Sequence, residues 1–262
     1  MTPRHTDPAS GYRDYSPAQL SRANRIRAFR DMGFGQQSIG LLLQQGDDKD
    51  AIRAQLLSLI HIWFAKRALD LFVSSLGILV MSPFMLIIAL CIYLYDRGPV
   101  LFKQDRLTIG GKVFTLYKFR SMVVDAEKDG VARLASKNDN RITPVGKVIR
   151  AIRFDELPQL FNIFKGDMSL VGPRPERPEI AEEYDATLPK FSYRLKVKAG
   201  LTGYAQVMGK YNTTPQDKLL LDLMYIENYS FLLDIRLLLM TVKIFLMPDS
   251  TEGVEDLSLI HI

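Results

Sequence analysis

A single cysteine, Cys91, rules out an internal disulfide, and the three histidines stand in no cysteine–histidine spacing that could hold zinc. A reducing, cytoplasm-facing chain is expected. The opening stretch Met1–Gly35 lacks the compact basic-then-apolar pattern of a signal peptide, being polar with scattered arginine and tyrosine. No large excess of charge of one sign is present either. A formal net charge of +5 suits nucleotides, anionic lipid head groups and nucleic acid about equally and selects none of them. Apolar residues are plentiful: 47% of the 262 residues are hydrophobic, which excludes disorder over most of the chain and allows one large domain or two small ones.

A hexapeptide, Leu-Ser-Leu-Ile-His-Ile, occurs at Leu57–Ile62 and again at Leu257–Ile262, where the chain ends. Two copies of so short a unit cannot build a solenoid, which takes at least about three stacked repeats of roughly 20 residues. Both copies are therefore expected to be adaptor-like, non-native sequence, with residues 1–62 a foreign polar helical segment and 255–262 a non-native tail. The composition agrees: Tyr12–Leu57 is polar, and from Trp63 the chain turns abruptly apolar. Within the polar segment, Tyr12–Leu20 and Arg25–Phe34 resemble the back half of the DNA-binding domain of MerR-type transcription regulators, with Ser16 before Pro17 as a helix start and Gly33 as a stop. The helix-turn-helix that reads the groove in that family is missing here, so nucleic acid is not an expected partner.

From Leu71 to Tyr95 no residue is charged, a run long enough to span a bilayer, which takes roughly 20 apolar residues. Two features favour a helix that dips in and returns. Ser82-Pro83 sits mid-run, where proline removes a backbone hydrogen bond and bends the helix. Both flanks are basic, Lys66 and Arg67 before and Arg97, Lys103 and Arg106 after, so both ends read as cytoplasmic by the positive-inside rule. Inside lipid, the backbone group freed at the bend needs a partner, and the Ser82 hydroxyl is beside it.

Past this run, Pro99–Gln104 and Val113–Arg120 read as short strands around a turn at Gly110-Gly111. The chemistry concentrates further on, in Arg150–Leu160 and Gly166–Glu176. The spacing makes Asp155 an N-cap, puts Pro158 in the first helical turn and places Gly166 to end the helix. A helix start favours a carboxylate nucleophile and receives phosphate, and Arg150 and Arg153 add positive charge upstream. A carboxylate can accept a phosphoryl group covalently, a neighbouring acid assisting. An isolated Asp-Glu pair would usually be no more than a helix cap; the arginines and rigid turns around Asp155-Glu156 argue for more. Pro173-Arg174-Pro175 holds a guanidinium on stiff backbone, which suits a phosphate contact, although such an arginine can equally be solvated on a surface loop.

These marks, with Lys66–Asp70, the Ser82-Pro83 bend and Gly200–Val207, resemble the bacterial sugar transferase family, the monotopic polyprenyl-phosphate phosphoglycosyl transferases that start assembly of surface polysaccharides and glycoproteins. The resemblance covers about Phe64–Val254. It implies a mixed α/β, mainly helical fold: a re-entrant membrane helix-break-helix at residues 63–98, then a small cytoplasmic catalytic domain at 99–254 with interfacial amphipathic helices. Asp155 is implied as the nucleophile and ligand of Mg2+, and Glu156 as its companion acid. Arg150 and Lys118 are implied to meet substrate phosphate, Arg174 to meet substrate phosphate or the core, and Asp70 to pair with an arginine that fixes the helix. The implied partners are a nucleotide-sugar donor with uridine as the base, a polyprenyl phosphate acceptor and membrane lipid at the inner, cytoplasmic membrane. Lys103, Arg106 and Lys118 are expected to face anionic lipid. Leu219–Met247, apolar but interrupted by charge, reads either as interfacial helices or as helices packed on the soluble core. Pairing of such helices would make a homodimer. Against the transferase stand a DNA-binding regulator, which only the residues before Leu57 favour, and a membrane scaffold with an idle dyad.

Overall fold

The computed structural model describes residues 5–6, 13–14, 26, 39, 49–124, 126, 139–188, 191–209 and 213–246. The regulator-like stretches, apart from Arg13, Asp14 and Ile26, and the second hexapeptide lie outside those residues. Two short strands, β1 (His5–Thr6) and β2 (Arg13–Asp14), pair antiparallel.

Helix α1 (Lys49–Asp96) contains the first hexapeptide and, from Ile60 to Asp96, is long and apolar enough to cross a membrane. One stripe faces the rest of the protein: Lys66, Asp70, Ser74, Met85 and Ile92 are buried. The opposite face is bare, with Phe72, Leu79 and Leu86 at seven-residue spacing and 67–72% exposed. The expected helix-break-helix is not an interruption here, since α1 runs through Pro83 as one element. The carbonyl that Pro83 cannot serve is that of Leu79, four residues back, and the Ser82 hydroxyl donates to it at 2.9 Å. A local partner thus replaces the missing N–H, so the proline can be carried without breaking the helix.

Strands β3 (Leu101–Leu107) and β4 (Val113–Phe119) form an antiparallel hairpin, Leu101 opposite Phe119 and Leu107 opposite Val113. The turn between them needs left-handed backbone at Gly110 and Gly111 (φ +70° and +76°), which glycine adopts without steric cost. Arg120, just past β4, donates to both Asp96 carboxylate oxygens and to the Pro99 carbonyl, fastening the hairpin to the end of α1.

Helix α2 (Pro144–Ala151) begins with Thr143 accepting from the Gly146 N–H and Pro144 at its first position. A tight 3-10 turn, Phe154–Glu156, leads into α3 (Gln159–Lys165), which Gly166 ends in left-handed conformation (φ +95°) by donating to Asn162 and Ile163. Strand β5 (Ser169–Val171), α4 (Pro178–Thr187), a 3-10 segment at Phe191–Lys196 and β6 (Gly200–Thr202) follow, with β6 parallel to β5. Helices α5 (Tyr204–Met208), α6 (Pro215–Glu227) and α7 (Phe231–Leu246) complete the described fold. The fold is mixed α/β and mainly helical, as the sequence indicates.

Ile163, Met168, Leu170, Val171, Tyr225 and Leu237 centre the main core, and a second cluster joins Met85 and Ile92 of α1 to Phe119 and Ile149. Helices α6 and α7 pack inward through Leu219, Tyr225 and Leu237 while leaving Leu220, Met224, Leu232, Leu239 and Val242 exposed. The inward face matches the expectation of helices packed on the soluble core.

Candidate active site

Four elements converge on Asp155 and Glu156. Between α2 and the 3-10 turn, Arg153 takes left-handed backbone (φ +56°), a conformation an L-residue holds only when its surroundings enforce it. That reversal turns the chain so sharply that Asp155 and Glu156 lie in the 3-10 turn, ahead of α3. Neither caps α3: its N-cap is Pro158, and no side-chain cap bond is made at the 3-10 turn. The expectation that Asp155 is a helix N-cap is thus corrected, because the spacing was read as continuous helix where the chain makes two turns. Positive charge at the site comes from side chains instead.

Glu156 Oε1 accepts from Lys118 Nζ of β4 at 2.8 Å and from Arg174 Nη2 at 3.1 Å. Burial pushes the Glu156 carboxyl up, but Arg174 and Lys118 outweigh it and hold the group down at about 2. Glu156 is therefore a fixed anion at neutral pH. Asp155 differs. Burial raises its carboxyl above the ordinary range and the Glu156 charge adds to this, while Lys118 and Arg150 oppose. Among the described residues no cation is in ion-pair contact with Asp155. Two adjacent acids pushed in opposite directions divide the work: Glu156 organises the cations, and Asp155 keeps its oxygens available and more basic.

Arg174 is held through its backbone. Its carbonyl accepts from Arg194 Nη2 at 2.9 Å, and the next carbonyl, of Pro175, accepts from Arg106 Nη1 at 3.0 Å. Arg194 also pairs with buried Asp222 at 2.7 Å and with Glu176 at 3.4 Å. The Pro173-Arg174-Pro175 loop is thus clamped from beneath by two arginines while the Arg174 side chain stays half exposed. Arg106 and Lys118 are engaged inside the protein, which corrects the expectation that they face lipid; both sit on the hairpin side turned to acids. Lys103 is exposed. Sequence reasoning missed Arg194 and Asp222, whose partners lie far off in the chain, and no local signal marks them.

Arg150 stands at the last turn of α2, close enough to act on Asp155 through its charge. The α1 residues do not join the dyad but anchor the helix. Arg67 donates to the Ile163 and Phe164 carbonyls, both at 2.8 Å, at the open end of α3. Lys66 pairs with Asp234 and donates to the Tyr225 hydroxyl at 2.7 Å. Asp70 does not pair with an arginine as expected: its Oδ1 accepts from Ser169 Oγ at 3.0 Å and from the Leu170 N–H at 2.8 Å. The helix is thus pinned to β5 by hydrogen bonds.

Comparison with known proteins covers this same region. A family model described as bacterial sugar transferase matches residues 61–248. A UDP-N-acetylgalactosamine-undecaprenyl-phosphate N-acetylgalactosaminephosphotransferase of Aeromonas hydrophila is 43% identical over 186 residues, covering 70% of this chain and 44% of that protein. A UDP-glucose:undecaprenyl-phosphate glucose-1-phosphate transferase of Klebsiella pneumoniae is 41% identical over 182 residues, 68% of this chain and 39% of the relative. A protein of the same description in Caulobacter vibrioides is 38% identical over 190 residues, 71% of each chain. The chain thus spans less than half the length of the first two relatives and most of the third. The match begins at the head of the apolar run of α1, ends just beyond α7 and contains every residue of the dyad and its clamp; this chain belongs to the bacterial sugar transferase family.

Proposed function

We propose that the chain moves a sugar-1-phosphate from a nucleoside diphosphate sugar to a polyprenyl phosphate, with Asp155 as covalent nucleophile. The observation that supports this most is the division within the dyad: Glu156 is locked between Lys118 and Arg174, and Asp155 is raised and, among the described residues, has no cation in ion-pair contact. An Asp155 oxygen attacks the sugar-bearing phosphorus of the donor. The bond from that phosphorus to the bridging oxygen breaks, and the electron pair leaves with nucleoside monophosphate. An oxygen of the lipid phosphate then attacks the same phosphorus, the aspartyl oxygen–phosphorus bond breaks, and the Asp155 carboxylate is regenerated. Lys118, Arg150 and Arg174 offset the charge of the phosphoryl oxygens. The names of the relatives favour uridine in the donor and undecaprenyl phosphate as acceptor, with the start of a surface glycan as the setting.

Mg2+ fits this donor set in one mode. Among the described residues no group of three or more His, Cys, Asp or Glu could hold a metal, and Glu156 is already engaged by two cations. Asp155 remains, which suits an ion bound through one carboxylate and substrate phosphates. When bound there, Mg2+ would neutralise diphosphate charge.

A placement of α1, unbroken at Pro83, along one leaflet is supported by its two faces. From Lys66 to Asp96 one stripe packs on the catalytic residues' own scaffold, so crossing the bilayer would drag polar protein into lipid; lying in one leaflet keeps the dyad at the interface where a lipid phosphate resides. The basic flanks favour the cytoplasmic side. The test is to incubate detergent-solubilised protein with Mg2+, radiolabelled polyprenyl phosphate and a panel of nucleotide sugars. A labelled lipid-linked sugar with matching nucleoside monophosphate release is expected; silence across a broad panel would overturn the proposal.

A further inference from the structure

A cavity of about 490 Å3 opens beside the dyad, with Arg153, Glu156 and Arg174 in its wall. Away from those three residues its lining is chiefly aliphatic, with Leu157 and Leu160 on one side and Leu201, Val207, Leu238 and Ile244 on the other. Of its neutral polar side chains, the Thr202 and Thr241 hydroxyls are 2.8 Å apart and Gln206 Nε2 donates to the Leu201 carbonyl, while Gln206 Oε1 is buried without a partner. Beyond that one acceptor little is left to read the edge of a base or the hydroxyls of a sugar. The cavity also reaches the level of the apolar helix. Leu160, which lines it, packs on α1 at Gly77, where an added Cβ would lie 3.1 Å from Leu160 Cδ1.

We infer that this cavity takes the head-proximal isoprene units of the acceptor lipid, so that the lipid's phosphate is delivered to Arg174, beside the dyad, from the apolar side. The inference rests on the proposed acceptor being a polyprenyl phosphate. The geometry matches that chemistry in three respects. One end of the cavity is ionic and shared with the dyad, the remainder is chiefly aliphatic, and one lining residue, Leu160, packs on the apolar helix. Branched aliphatic side chains pack against a branched chain by surface burial alone, with no donor or acceptor to satisfy. A sugar nucleotide placed there would instead lose water from its hydroxyls without replacement. The donor is thereby assigned to the open side, toward Arg150 and Lys118, and the two substrates reach Asp155 from different directions.

The test separates the two half-reactions. Val207→Trp, on α5, and Leu238→Trp, on α7, fill the cavity from two different helices of one wall. Without acceptor, each variant should release nucleoside monophosphate in a single burst equal to wild type; with acceptor, each should show KM for polyprenyl phosphate raised tenfold or more. The burst itself reports that the fold and dyad survive. Unchanged acceptor kinetics in both variants would overturn the inference. So would a lost burst in a variant whose melting temperature is retained, since the cavity would then hold the donor. A second readout does not depend on turnover: a polyprenyl phosphate carrying a diazirine in its first isoprene units should crosslink to the peptides of Val207 or Leu238 in wild type. Labelling confined to the outer face of α1, at Leu79 or Leu86, would overturn the inference. Absence of any burst in wild type would count against the covalent mechanism, and the crosslink would then judge the cavity alone.

Discussion

Replacing Glu156 by glutamine keeps the shape of the side chain and removes the charge that Lys118 and Arg174 hold. The folded-state carboxyl lies at about 2 against an ordinary 4.5, a difference that corresponds to about 3 kcal/mol at ~1.36 kcal/mol per unit. The sign follows from linkage. A carboxyl depressed on folding contributes stability that is fully present above 4.5 and is lost as pH falls through about 2. Wild type should thus exceed Glu156→Gln by about 3 kcal/mol at pH 7, a melting difference of roughly 6–12 °C for a chain of this size, and the gap should close between pH 4.5 and 2. Catalysis should respond oppositely on its acid side. Glu156 is one of the groups that raise Asp155, so its neutralisation lowers the Asp155 carboxyl and moves the acid limb of nucleoside monophosphate release to lower pH, even as the plateau rate falls. Melting curves in detergent from pH 3 to 8 and a pH profile of the first half-reaction measure both. A stability gap that does not change with pH, or an acid limb that moves upward, would refute the division of roles between the two acids.

Arg194→Met removes the support of the Arg174 carbonyl and leaves Asp222, 1% exposed, without its cation; a loss of about 3–5 kcal/mol is expected by thermal melting. Asp222 is pushed up to about 6 by burial, against the pull of Arg194, so in wild type it costs the fold stability as pH rises from 3.8 through 6, and Arg194→Met should extend that loss to higher pH. Gly146→Ala would set a Cβ 1.9 Å from the Ser121 carbonyl oxygen; the backbone must shift, at a cost of about 1–3 kcal/mol. Since α2 carries Arg150, the rate of nucleoside monophosphate release should fall with it.

Local conformational demands were the most legible part of the fold. Gly110-Gly111 and Gly166 stand where left-handed backbone is required, and few other residues could occupy those positions, so hairpin and helix end were both readable. The Ser82 hydroxyl lies next to the proline whose missing N–H it offsets. The dyad was legible as a pair of acids set among arginines, but its electrostatics were not. A one-residue reversal at Arg153 moved Asp155 off the helix end, and nothing in the spacing from Arg150 to Gly166 encodes that φ value. Long-range ion pairs were illegible for another reason. Lys66 with Asp234, and Arg194 with Asp222, are chosen by how α1, α6 and α7 pack, so a basic residue near an apolar run reads as lipid-facing until its acid is seen. Arg106 and Lys118 were misread in this way.

The account stands on Asp155 carrying the phosphosugar. Wild type and Asp155→Asn should be mixed with a nucleotide sugar labelled in the sugar-linked phosphate, without acceptor, quenched and digested, and the peptides analysed by mass spectrometry. Wild type should carry one phosphosugar on the peptide containing Asp155, release it on addition of polyprenyl phosphate as lipid-linked product, and Asp155→Asn should carry none. Label on another residue, equal labelling of both proteins, or lipid-linked product from Asp155→Asn at the wild-type rate would contradict it.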